Sequence, residues 1–137
     1  MIYRKEISVQ TKGNDDILDI TGFACETIDE SGIKEGILHI FVVGSTAGLT
    51  AIEYESGLLE DFRNILNKLI PKNLSYKHNL AWHDDNGHSH LRASLLGPSL
   101  SIPIIDKKMA TGTWQQIILV DFDTHPRRRS LIFQVYG

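Results

Sequence analysis

Apolar positions along the chain change their period once, and that change predicts the architecture. Residues 2–9 alternate between apolar and polar and read as a strand. In 15–31, Ile17, Ile20, Ala24 and Ile28 recur at helical spacing, with Asp15 and Asp16 suited to a first turn and Gly32 to a stop. Residues 37–43 are rich in β-branched and aromatic side chains between glycines and predict a buried strand, and 49–54 predict another. Residues 56–70 form the clearest helix: Leu58, Leu59, Phe62, Ile65, Leu66 and Leu69 make one stripe that Pro71 ends. From residue 88 the period becomes two, and 91–96, 100–105, 116–122 and 130–136 read as four strands separated by turns. The expected class is α+β: a mainly antiparallel sheet, arranged as a meander, in two layers with two packed helices.

Composition sharpens this picture only in part. A chain of 137 residues fits one domain, 1–137, without repeat or linker. A single cysteine, Cys25, excludes an internal disulfide, and the mixed charges of the first residues do not suit a secretory signal. These features point to the cytoplasm. The net charge of −3 argues against nucleic acid or a membrane as partner.

The densest candidate chemistry lies in 83–90, where three histidines and two aspartates fall within eight residues. On a strand, His88 and His90 would point to the same face, and an Asn86-Gly87 reversal would bring His83 towards them. Three imidazoles with an open position suit a catalytic divalent metal, zinc before magnesium. Asp84 or Asp85 could orient a ring or act as a base, with a turn carboxylate that bonds its own backbone as the plainer reading. The Gly44-Ser45-Thr46-Ala47-Gly48 segment offers hydroxyls and amides to an anion, with a simple tight turn as the plainer reading. Arg127 and Arg129 share a strand face and suit phosphate or carboxylate. Trp114 offers an aromatic face, and Gln115 or Gln116 a side chain directed into a cleft. Asp84, Asn86 and Gln115 are the catalytic candidates; Ser45, Thr46, Trp114, Arg127 and Arg129 are the substrate-binding ones.

Together, Gly44-Ser45-Thr46-Ala47, the 83–91 segment, Leu96-Gly97-Pro98-Ser99, the 112–116 segment, Asp121-Phe122-Asp123 and Pro126-Arg127-Arg128-Arg129 resemble the YjbQ-type family, also called secondary thiamine-phosphate synthases. The resemblance implies a homotrimer, a cleft at the subunit interface that gathers the histidines, and a bound divalent metal. It also implies weak thiamine-phosphate-synthase-like activity, joining a pyrimidine diphosphate to a thiazole phosphate. Many relatives have His-Thr-Thr-Ala where this chain has Gly44-Ser45-Thr46-Ala47, so one potential ligand is absent. The function expected is that of a metal-assisted enzyme acting on a small phosphorylated metabolite. The alternatives are a metal-dependent hydrolase and a non-catalytic, homotrimeric metal- or anion-binding module.

Overall fold

A computed structural model describes residues 1–137. Its elements run β1 (Ile2–Thr11), β2 (Asp16–Asp19), α1 (Thr21–Ser31), β3 (Gly36–Val43), β4 (Ala47–Ile52), α2 (Ser56–Leu69), α3 (Lys77–Trp82), α4 (Gly87–Leu96), β5 (Ser99–Ile105), β6 (Lys108–Met109), β7 (Gln116–Asp121) and β8 (Arg127–Tyr136). Two sheets form, with orders β1-β8-β3-β5-β6 and β2-β7-β4. Every strand pair is antiparallel, and the class is α+β as the pattern predicts. The order is not a meander: β8 inserts between β1 and β3.

The inner face of the larger sheet meets the smaller one across the main core. Leu38, Ile40 and Val42 of β3 and Leu131, Phe133 and Val135 of β8 pack there with Leu49, Ile117 and Leu119, and α1 adds Ala24 and Ile28. The opposite face of the small sheet packs Ile118 and Val120, with Phe122 just beyond β7, against Leu66 of α2 and Ala93 of α4. Strand β7 is therefore buried on both faces, which explains its unbroken apolar run. Truncating Leu119 to alanine in such a place costs about 2–5 kcal/mol.

Helix α2 forms where its apolar stripe predicts. Glu55 caps it by accepting the Leu58 amide at 2.7 Å. Helix α1 ends at left-handed Gly32, also as predicted. Two predicted elements are corrected. Residues 16–19 form an edge strand on β7, and the helix begins only at Thr21, whose amide is held by the Asp19 carboxylate at 3.0 Å. Asp15 is buried and paired instead of sitting in a helical first turn. Residues 91–96 belong to helix α4 rather than to a strand. The buried face of α4 is Gly87, His88, Ser89, Arg92 and Ala93. These lie at helical spacing, but they are small or polar, so a hydrophobic pattern does not reveal them. Asn86-Gly87 accordingly opens a helix instead of reversing a hairpin.

Candidate functional site

Buried aspartates organise the centre of the site. At the end of β7 and just beyond it, Asp121 and Asp123 lie near Thr46, which precedes β4, and beside Arg127 and Arg129 of β8. The β1–β8 register, with Thr11 opposite Arg127, brings Thr11 to the same place. Arg129 grips Asp121 with two nitrogens, Nε to Oδ2 and Nη2 to Oδ1, both at 2.8 Å. The Thr11 hydroxyl donates to the same carboxylate. Arg129 Nη2 also donates to Thr46 Oγ1 at 2.6 Å, and Thr46 passes its own hydrogen to Asp123 Oδ2 at 2.9 Å. Arg127 Nε donates to Asp123 Oδ2 at 3.0 Å, the Thr124 amide to Oδ1 at 2.8 Å, and Asn86 Nδ2 to Oδ1 at 3.4 Å.

This wiring sets the electrostatics. Burial works to raise the pKa of Asp123, but hydrogen bonds from the Thr124 amide, Thr46 and Asn86, with the charge of Arg127, outweigh it and hold the pKa at about 2. Burial opposes ionisation of Asp121 as well, yet its bonds from Arg129 and Thr11 bring its pKa below the ordinary value. Both remain carboxylates at neutral pH, with each arginine fixed by one edge.

Above this network lies a hollow of about 400 Å³ without a single apolar side chain. That volume is in the range of small-ligand sites. The 44–46 turn forms one wall, Arg127 to Arg129 another, and Asp84, Asn86 and His90 the third. Arg127 spends only its Nε within the chain and Arg129 only Nε and Nη2, so guanidinium nitrogens remain for a ligand. Gly44 has φ +129°, and a Cβ there would stand 2.7 Å from Arg129 Nη1. In this conformation a side chain at 44 would strain the backbone and displace the end of the guanidinium beside it. Asn86 is 4% exposed, and its Oδ1 has no hydrogen-bond partner.

Six predicted site residues therefore share one hollow together with His90: Ser45, Thr46, Asp84, Asn86, Arg127 and Arg129. Two others lie elsewhere. Trp114 is 71% exposed and borders a separate hollow with Glu53, Glu55 and Gln116. Gln115 lines a third, beside Cys25 and Lys107, and accepts the Gly112 amide. The histidines sit differently from the expected strand geometry. His88 and His90 are two apart on a helix, where such positions do not face each other. His88 is 2% exposed with Nδ1 unpartnered, and burial next to Arg92 and Lys72 lowers its pKa. His90 lies against His78 with ring centroids 4.3 Å apart and the rings tilted by 46°; burial and the His78 charge lower its pKa. His83 is the exposed, left-handed cap of α3. Within one chain no three His, Cys, Asp or Glu side chains converge as a metal-holding group.

The carboxylates that orient the arginines, Asp121 and Asp123, and His78 carry no predicted role. The Asp-Phe-Asp spacing, two carboxylates on one side of a strand end, was the available signal.

The fold and site define a two-sheet α+β protein with an arginine-lined polar pocket. The family described as UPF0047 protein YjbQ-like matches residues 5–137, and the chain belongs to that family. A UPF0047 protein of Methanothermobacter thermautotrophicus is 38% identical over 136 residues, covering 99% of this chain and 93% of the relative. A crystal structure of a YbjQ-like protein of unknown function from Sulfolobus solfataricus P2 matches with a TM-score of 0.95 at 38% identity, covering 100% and 98% of the two chains. A YjbQ/UPF0047 protein of Clostridium acetobutylicum matches at 0.88 with 34% identity, covering 96% and 99%.

Proposed function

We propose that the polar hollow binds the phosphate of a small metabolite and that the protein is an enzyme acting on such a compound. One observation carries this reading: two guanidinium groups, each held on one edge by a buried aspartate, border a wholly polar hollow under a Gly-Ser-Thr turn. Fixed arginines pay little ordering cost when they meet an oxyanion, and their planar forks suit phosphate. The Ser45 hydroxyl supplies a further donor, and His90 is the one imidazole in the lining, placed to give a proton to a leaving oxygen or to take one from an attacking oxygen.

The metal-assisted form of this reading, with His83, His88 and His90 as ligands of zinc or magnesium, does not fit a single chain, because His88 is enclosed while His83 is exposed at the end of a different helix. Ligands would have to come from more than one subunit, and no chemical step here depends on them. Assembly as a homotrimer belongs to the same proposal. Ile2, Tyr136 and Ile37 form one exposed apolar rung on the outer sheet face, a surface suited to association. The finer reading, weak thiamine-phosphate-synthase-type condensation, draws on the resemblance of the motifs. It also needs Trp114 from another subunit, since in its own chain that ring lies outside the hollow.

A non-catalytic anion-binding module is the second reading. The ion pairing of Asp121 and Asp123 favours it, because neither buried carboxylate is free to act as a base. Calorimetric titration with inorganic phosphate and assay of phosphorylated substrates separate the two. The enzyme reading expects phosphate binding that weakens in Arg127→Gln and turnover that His90→Gln abolishes while binding remains. Binding without turnover on any substrate selects the module, and no phosphate binding defeats both.

A further inference from the structure

We infer that the site is bipartite and takes a phosphate monoester whose carbon portion is an uncharged, largely apolar body of about ring size. The inference rests on the anion site proposed above and goes on to name its substrate class. A second hollow opens directly beside the polar one and shares Gly44, Ser45 and His90 with it. Its other walls are mainly apolar: Phe41, Ala47, Leu91, Ala93 and Pro98 face it, Ser94 is the one further polar side chain, and Asp, Glu, Lys and Arg are absent from it. Its volume, about 670 Å³, exceeds that of the polar half.

Phe41 lies on β3 at an outward position, between Ile40 and Val42, which point into the core. It is 39% exposed, and Leu91 on α4 is 46% exposed. Two large apolar side chains thus flank a groove whose end is the arginine pocket. Inorganic phosphate would fill the polar half and leave the groove wet. A sugar phosphate or nucleotide would press hydroxyls against Phe41, Leu91 and Pro98, where the Ser94 hydroxyl, already donating to the Leu91 carbonyl, replaces little of their lost hydration. An apolar ring linked to phosphate satisfies both halves and gains by the burial. Asn86 adds a second preference. Its buried Oδ1 has no partner within the chain, so a ligand that presents a hydrogen there gains a bond. A protonated oxygen of a phosphate monoanion supplies that hydrogen. On this reading Phe41 and Leu91 determine specificity, whereas Arg127 and Arg129 determine affinity for the anion.

The test compares phenyl phosphate with inorganic phosphate by calorimetric titration of the full chain in its native assembly. The expected result is phenyl phosphate binding about tenfold more tightly or better, as burial of a ring's apolar area predicts. The ratio should fall towards one in Phe41→Ser and, separately, in Leu91→Gln; both positions are partly exposed, so these substitutions spare the core. Leu95→Ser, on an exposed position of α4 outside the groove, should leave the ratio as it is. Equal affinity for the two probes would overturn the bipartite site and leave the anion site standing, and it is also the outcome if a second copy of the chain fills the groove. A tenfold preference that survives both variants would remove Phe41 and Leu91 from the role. Failure of both probes to bind would defeat the anion site, and this inference with it.

Discussion

Two buried arginines, Arg92 and Arg129, each pair with a buried aspartate and serve different ends. Arg92 grips Asp15 with Nη1, at 2.9 and 2.8 Å. Its Nε donates to the Ile70 carbonyl, and Nη2 to Ile70, Asn67 and Leu66. The guanidinium therefore satisfies the Ile70 carbonyl just past α2, which the helix leaves open, and every one of its nitrogens is engaged inside the protein. Arg129 grips Asp121 equally closely, but it stands at the floor of the polar hollow, with Nη1 next to Gly44. A buried ion pair does not by itself mark a functional site. What separates the two is whether a donor remains and whether it faces an open space.

The most severe way to break this comparison is to remove each guanidinium in turn. Arg92→Met and Arg129→Met should each lower unfolding free energy by about 3–5 kcal/mol, because each leaves a buried carboxylate without its partner. Urea titration measures that loss. The two should then diverge in calorimetry at low temperature: Arg92→Met, once folded, keeps its phosphate affinity, and Arg129→Met loses it. Equal phosphate affinity in both would erase the distinction.

Next in size is Arg127→Gln. The Arg127 side chain is 42% exposed, so its pair with Asp123 contributes under about 1 kcal/mol to stability. Phosphate affinity should nevertheless fall by about tenfold or more, as expected for a lost charged hydrogen bond. The wild-type affinity should weaken with added salt more steeply than that of the variant. A variant with the same salt slope would place the anion elsewhere.

Acid sharpens the role of the aspartates. Asp123 is held at about 2, below the ~3.9 of an unfolded aspartate. A lowered folded pKa stabilises the ionised native state, so this contribution is complete above about pH 4 and disappears as pH falls towards 2. Asp121 shifts in the same direction. Urea midpoints should drop between pH 4 and 2, and the drop should be smaller in Asp123→Asn. A midpoint as steep in that variant as in the wild type would assign acid sensitivity to other groups. The smallest effect is expected at Trp114. Trp114→Ala should leave phosphate affinity unchanged, since the ring borders a different hollow; a clear loss would bring that ring to the anion through the assembly.

Legibility in the sequence follows the same division. Helix α2 and strands β3 and β7 are readable because large apolar side chains line their buried faces. Helix α4 is not, because Ser89, Arg92 and Ala93 bury its inner face and a histidine pair mimics strand alternation. Edge strand β2 is misread because Ile17, Ile20, Ala24 and Ile28 match a helical period, although Ile17 packs on one core and the other three on another. In the site, Ser45, Thr46, Arg127 and Arg129 are legible from their chemistry, since hydroxyls after a glycine and paired guanidinium groups suit anions wherever they lie. Their joining with Asn86 and His90 is not, because it depends on β8 lying beside β3 and on the unforeseen α4. The close grouping of histidines 83, 88 and 90 along the chain suggests a convergence that two separate helices do not produce.

The most direct measurement is a crystal structure of the protein soaked in phosphate. The account predicts one tetrahedral anion in the polar hollow, accepting hydrogen bonds from Arg127, from Arg129 Nη1 and from the Ser45 hydroxyl. A saturated crystal in which that hollow holds only water, with phosphate bound at another surface or nowhere, would contradict it.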